Sequence, residues 1–229
     1  MKKLVALVLA ATLVLSFTAC GNTAEKKSEG VMTYAEYDAA AIDDAVVIEA
    51  YVQAHQSWWD NSVTVYAQDK DGAYFIYNMA CSEEDAAKLV PGTKIKVTGY
   101  KAEWAGEIEI ADATFEFGDS KTYIAPAKDV TTALGTDELA KSQNQFVSFK
   151  GMTVESVSYK NDQPGDDIYV TLSKDGASYD FCLEYYLNGS DEAFYNQVGS
   201  LTAGTVVDVE GFLYWYEGPN AHITKVTVK

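Results

Sequence analysis

From residue 45 onward, apolar and polar side chains alternate in short runs broken by Gly, Asp, Asn and Pro. Alternation with a period of two marks strands that bury one face. In the first half it predicts strands near 45–54, 63–69, 73–79, 94–101 and 107–116. In the second half it predicts strands near 146–157, 167–174, 177–186, 205–214 and 221–228. The second and third runs meet at Asp71-Gly72, a pair favoured in tight hairpins. CSEEDAAKLVPGT (81–93) separates the third run from the fourth, with Ser82 placed to cap a short helix and Pro91 to stop it. SDEAFYNQV (190–198) holds the same place in the second half. Each set of strands has a helical preface. TYAEYDAAAIDD (33–44) opens with Thr33 and Glu36 at capping-box spacing, and TDELAKS (136–142) precedes the second set.

The chain also repeats itself. PGTKIKVTGYKAEWAGEIEIADATFEF (91–117) parallels AGTVVDVEGFLYWYEGPNAHITKVTVK (203–229), with Gly92 and Gly99 each matched 112 residues later. DKDGAYFIY (69–77) parallels SKDGASYDF (173–181), and VVIEAYVQA (46–54) parallels VSFKGMTVE (147–155). A period this long means duplicated domains rather than a solenoid. Three strands, a helix and two strands is the order of an OB-fold, a five-stranded Greek-key barrel. The expected fold is therefore mainly all-β, with two tandem OB-fold barrels. Each would carry a short helix between strands 3 and 4 and a helical preface. The first would span 33–117 and the second 136–229. The linker 118–135 carries Ile124, Pro126 and Leu134, which favours a fixed relation between the two.

GTKIKVTGYKAEWAGEIEI (92–110) resembles the last hairpin of OB domains of the tRNA-anticodon-binding type and of secreted nucleases. The doubled unit resembles tandem-OB lipoproteins of Gram-positive gut bacteria. That resemblance covers nearly all of 33–229. It implies a fold and leaves the ligand open, because such folds host many functions.

The N-terminus adds a cellular address. Lys2 and Lys3 precede an apolar run from Leu4 to Leu15 that is too short for a comfortable membrane span. SFTAC (16–20) resembles the cleavage box of bacterial lipoproteins, with Phe17 in place of the usual aliphatic residue. The resemblance implies a signal peptide over 1–20, lipid on Cys20, a tether over 21–32 and residence on the extracytoplasmic face of the cell membrane. Ordinary secretion, with Cys20 incidental, is the alternative.

Charge narrows the partners. The chain carries a net charge of −17, and its cations are all lysine. Loss of residues 1–20 removes two lysines, leaving 15 basic against 34 acidic residues, a net −19. Such a surface repels polyanions, and Arg, the usual bidentate phosphate ligand, is missing from the sequence. Nucleic acid is therefore expected to be an unlikely partner. Cys81 and Cys182 fall at non-equivalent places in the repeat, which predicts two buried thiols rather than a disulfide. His55 and His222 lie far apart in sequence, and Asp162, Asp166 and Asp167 lack EF-hand spacing. No metal, no cofactor and no catalytic triad is expected, and the chain reads as a non-enzyme.

OB barrels usually bind through the strand 2–3 face and the loops after strands 1 and 4. Here those loops are HQSWWDNS (55–62), KAEWAG (101–106), SYKNDQPGDD (158–167) and LYWYEGPN (213–220), and they contain all four tryptophans. The candidate ligand residues are Trp58, Trp59, Asp60, Trp104, Tyr214, Trp215 and Tyr216, joined by Tyr66, Tyr74 and Tyr77 on the strand 2–3 face. Neighbours in an extended chain point opposite ways, so one of Trp58 and Trp59 closes the barrel end while the other faces out. The competing account makes these rings barrel plugs and cross-strand packing. Glu107 and Glu109, beside Trp104, read either as a glycosidase-like pair or, more simply, as the solvated face of a strand. Three functions follow, in this order. The first is a surface lipoprotein that binds a glycan, a peptide or an envelope protein. The second is a single-stranded nucleic-acid binder. The third is an enzyme or enzyme accessory with perturbed carboxylates in a cleft between the barrels.

Overall fold

The computed structural model describes residues 26–229; the leader and Cys20 lie outside the described residues. The first unit comprises α1 (Tyr34–Ala39), β1 (Ala45–His55), β2 (Ser62–Gln68), β3 (Ala73–Ala80), α2 (Glu83–Ala86), β4 (Thr93–Trp104) and β5 (Glu107–Thr122). The capping box at α1 forms: Thr33 N donates to Glu36 Oε2 at 2.7 Å, and Glu36 N donates to Thr33 Oγ1 at 3.2 Å. The strands close into a barrel in the order β1-β2-β3-β5-β4. Its seam is the short parallel pairing of Phe75 with Glu109 and Ile76 with Ile110. Val46, Ile48, Val65, Ile76, Ile95 and Ile110 fill it and are inaccessible to solvent. Each such aliphatic side chain contributes roughly 1.5–3 kcal/mol by leaving water.

The second unit comprises β6 (Lys128–Asp129), β7 (Phe146–Tyr159), β8 (Ile168–Lys174), β9 (Ala177–Leu183), α3 (Tyr185–Asn188), α4 (Glu192–Gly199), β10 (Val206–Phe212) and β11 (Ala221–Val228). Its strands form a six-stranded sheet ordered β10-β11-β9-β8-β7-β6, with an added pairing of β10 to β7. β11 meets β9 in parallel at Ala221–Phe181 and His222–Cys182, as β5 meets β3 in the first unit. The two halves are therefore not equal barrels. Lys128 and Asp129 lie parallel to Val147 and Ser148, so part of the linker joins the second sheet as an edge strand.

Three local expectations change. β5 runs on to Thr122 because Thr93, at the start of β4, offers it a partner there. The preface at 136–142 is a 3-10 turn over Leu139–Ser142, not an α-helix. The end of the tether is fixed: Lys27 is buried against Asp69 at 2.7 Å and also donates to the Glu49 carbonyl at 2.8 Å. Cys81 and Cys182 are free, buried thiols. No helix among the described residues is long and apolar enough to cross a membrane.

The units share an apolar core of their own. Tyr66, Phe75 and Phe212 are buried together, with Phe146 and Tyr214 packed against them. Tyr66 stacks on Phe212 with ring centroids 4.4 Å apart.

A candidate binding cleft between the two units

The outer face of β2 and β3, where a lone OB barrel would bind, is covered by the second unit. Tyr66 is fully buried there and its hydroxyl shares a hydrogen bond with His222 Nδ1 at 2.5 Å. Burial pushes His222 down to about 3 and Tyr66 well above its usual range, so both the imidazole and the hydroxyl are neutral. Tyr74 points the other way, into the first barrel, under Tyr34 and Tyr37 and with its hydroxyl on Asp69 Oδ2 at 3.2 Å. The expectation that Tyr66 and Tyr74 offer a binding surface is corrected: both are interior, one between the units and one within a barrel.

The β4–β5 turn plugs into the second unit. Glu217 N donates to the Ala105 carbonyl at 2.7 Å, Gln143 Nε2 to the Gly106 carbonyl at 2.9 Å, and Asn144 Nδ2 to the Ile108 carbonyl at 2.9 Å. Gly106 has φ +90°, and a Cβ on it would lie 2.8 Å from Trp215 Cδ1. Trp215 is thus a seam residue; its backbone N–H donates to Glu107 Oε2 at 2.8 Å. Glu107 is 0% exposed, so it is not on a solvated strand face. Burial lifts its carboxyl to about 8, against the opposing hydrogen bonds from Trp215 and Gln143. The expectation failed because the face that β5 would show to water is the one the second unit covers.

Above this seam lies a cleft of about 620 Å³. Its buried lining includes Phe75, Glu109, Cys182 and His222, and its exposed lining includes Trp104, Tyr216, Tyr77 and Tyr169. Trp104 is 55% exposed, and its ring centroid is 5.3 Å from that of Tyr216. Tyr214 lies between these groups, stacked on His222 at 4.3 Å and edge-on to Phe75 at 5.2 Å. Glu109 lines the cleft at only 8% exposure, paired through its backbone with Phe75 and Ala102, and no side-chain hydrogen bond or ion pair to a described residue holds its carboxylate. Burial raises its pKa. Glu184 is pushed up to about 7 by burial and then by Asp167, yet its carboxylate is engaged, capping α3 through Tyr186 N and Leu187 N. Lys160 balances the acidic turn at 3.2 Å from Asp166 and 3.1 Å from Asp167. No group of three potential metal ligands occurs among the described residues.

Trp58 and Trp59 diverge. Trp58 packs on the first core and donates from Nε1 to the Cys81 carbonyl at 2.8 Å. Trp59 is 80% exposed, in a bridge with Ser62. Asp60 is a turn residue at φ 47°, followed by Asn61 at φ 59°. Of the candidates, the structure brings Trp104, Tyr214 and Tyr216 to one cleft with Tyr77; Trp59 lines a separate depression. Sequence reasoning missed Tyr169 and Tyr186. Tyr169 had a signal, an outward position in an alternating strand. Tyr186 had none, because α3 was read as the end of a strand.

No family model matches the chain, and no curated protein sequence matches it. Solved structures do match in outline. A murine DNA-binding protein bound with double-stranded DNA is 8% identical, over 80% of this chain and 96% of that one, with a TM-score of 0.40. The HINb domain of p204 is 10% identical, over 82% and 98%, at 0.36. A replication protein A heterotrimer bound to single-stranded DNA is 12% identical, over 84% of this chain and 51% of that one, at 0.34. The expectation that nucleic acid is an unlikely partner is withdrawn: proteins described with DNA bound stand among the structural neighbours. At these scores the likeness assigns no ligand to this chain.

Proposed function

We propose that this protein is a non-catalytic binding module of the cell surface, and that the cleft between its two OB-type units holds a hydroxylated, ring-bearing ligand of the glycan class. The observation that carries this reading is Glu109, whose carboxylate no other side chain holds, lining one cleft with the exposed rings of Trp104 and Tyr216. Aromatic faces stack on the C–H faces of sugar rings, and a carboxyl accepts hydrogen bonds from their hydroxyls. A cleft of about 620 Å³ suits a small ligand better than a folded envelope protein. Lysine and arginine are missing from its lining, and Glu109, Glu184 and Asp167 oppose an anionic group there. The second half is taken as an OB unit elaborated by β6, in keeping with the shared parallel closure. Surface anchoring rests on the lipoprotein-like SFTAC at 16–20, and a Cys20→Ser variant shed into the medium would support it.

Single-stranded nucleic acid is the second reading. It is favoured by the same exposed rings, which stack on bases as readily as on sugars. Calorimetric titration separates the two. The protein is titrated with neutral oligosaccharides and with single-stranded oligonucleotides, each at low and moderate salt. A glycan site gives saccharide binding that is insensitive to salt and weakened about ten-fold or more by Trp104→Ala or Glu109→Gln. Oligonucleotide binding that falls steeply with salt would replace it with the second reading. Cleavage of the saccharide during incubation would overturn the non-catalytic assignment.

A further inference from the structure

We infer that the ligand is an elongated, uncharged oligosaccharide, because a second cleft continues the first; this rests on the glycan reading above. The second cleft measures about 350 Å³. Its exposed rings are Trp59 and Tyr186, and its polar lining includes Gln56, Ser57, Thr64 and Asn78. No side chain that lines it is charged. Gln56 lines both clefts, so the two adjoin at that residue.

The backbone of β3 is built to serve both. The β2–β3 register slips between Val63 and Val65, and Asn78 adopts φ 44°. A bulge of this kind breaks strand alternation and re-aims side chains. As a result two consecutive residues, Tyr77 and Asn78, are both exposed. Tyr77 lines the first cleft and Asn78 the second. Thr64 Oγ1 fixes the bulge, accepting from Asn78 N at 3.1 Å and donating to Asn78 Oδ1 at 3.4 Å.

The far wall is equally fixed. Ser57 N and Oγ both donate to the Tyr186 carbonyl, at 2.7 and 3.1 Å, tying the loop after β1 to α3. Glu184 begins α3 in the first cleft and Tyr186 stands in the second. A linear ligand crossing at Gln56 would meet carboxyls and rings on one side, then amides, hydroxyls and rings on the other. Stacking rings with neutral hydrogen-bonding groups suit a sugar chain. They offer nothing to neutralise a phosphate or a uronic acid.

The test is calorimetric titration of the protein with size ladders, one to eight units long, of β-1,4-linked glucose, mannose, xylose and N-acetylglucosamine. Affinity should rise with length beyond the disaccharide. Trp59→Ala, at a position 80% exposed and so harmless to folding, should lose roughly ten-fold for the long members and leave the disaccharide unchanged. Trp104→Ala should weaken every length. Affinity that is flat beyond the disaccharide, or a Trp59→Ala protein that binds all lengths normally, overturns the extended site while leaving the first cleft intact. Failure of every ladder to bind overturns both readings.

Discussion

Glu107 makes the seam between the units sensitive to pH. Its carboxyl sits near 4.5 in an unfolded chain and at about 8 in the folded protein, raised chiefly by burial. A carboxyl with a raised folded pKa keeps its proton in the native state over a range where the unfolded chain has lost it. Stability attached to Glu107 is therefore full below pH 4.5, declines as pH rises, and is gone above about 8. At about 1.4 kcal/mol per unit, a shift of this size corresponds to roughly 5 kcal/mol, a large share of a typical domain's stability. Glu107→Gln keeps the shape and an oxygen for Trp215 N–H but cannot ionise. Urea unfolding followed by tryptophan emission at pH 5, 6.5 and 8.5 measures the effect. The two proteins should be similar at pH 5, and the variant should be more stable by several kcal/mol at pH 8.5. Glu109 and Glu184 also titrate upward, but they are common to both proteins and cancel in the difference. A variant that differs from the wild type by the same amount at every pH would refute the assignment of a buried, protonated Glu107.

Other outcomes follow from single contacts. Tyr66→Phe leaves His222 Nδ1 buried without its hydrogen-bond partner and should cost about 1–3 kcal/mol in chemical denaturation. Lys27→Met strands the fully buried Asp69 carboxylate and should cost about 3–5 kcal/mol, and a chain that begins at residue 28 should lose a similar amount. Gly106→Ala forces a Cβ onto Trp215 at a left-handed φ and should destabilise by about 1–3 kcal/mol, with a shift in tryptophan emission as the seam opens. The Cys182 thiol, pushed up by burial, should resist alkylation in the native protein and react on unfolding, as read by mass spectrometry.

The strands were legible in the sequence because each obeys a local rule. Alternation placed the starts of all ten main strands within one residue, and Thr33, Glu36 and Ser82 marked their helix starts correctly. What escaped detection depends on contact between the units. Glu107 and Glu109 alternate like any half-solvated strand, and nothing local says that a second unit lies on their polar face. Tyr66 and Tyr74 lie on opposite faces of two paired strands, and both faces turn out to be covered. β6 has only two residues and no periodicity to read. The Trp58–Trp59 pair was readable in form, one ring inward and one outward, since strand geometry alone separates neighbours. Which cleft the outward ring would line depended on Tyr186, and thus on α3.

Covering the β2–β3 face has a functional consequence. In a lone OB barrel that face is open, and the ligand lies across it. Here Phe212, Phe146 and His222 occupy it, so the first barrel's usual surface is spent on joining the units. The rings left over stand at the rim of the joint: Tyr77 from β3, Trp104 from the β4–β5 turn, and Tyr216 from the matching turn of the second unit. A site built this way depends on both halves at once. Trp104 alone is an exposed ring on a hairpin tip; with Tyr216 at 5.3 Å it becomes one wall of a cleft. The contact from Trp215 to Glu107 holds the joint next to that wall, and the bonds from Ser57 to Tyr186 hold it at the second cleft. Changes that loosen the seam should therefore weaken ligand binding even when they touch no lining residue. In Gly106→Ala the loss of affinity should track the loss of stability, whereas in Trp104→Ala it should not.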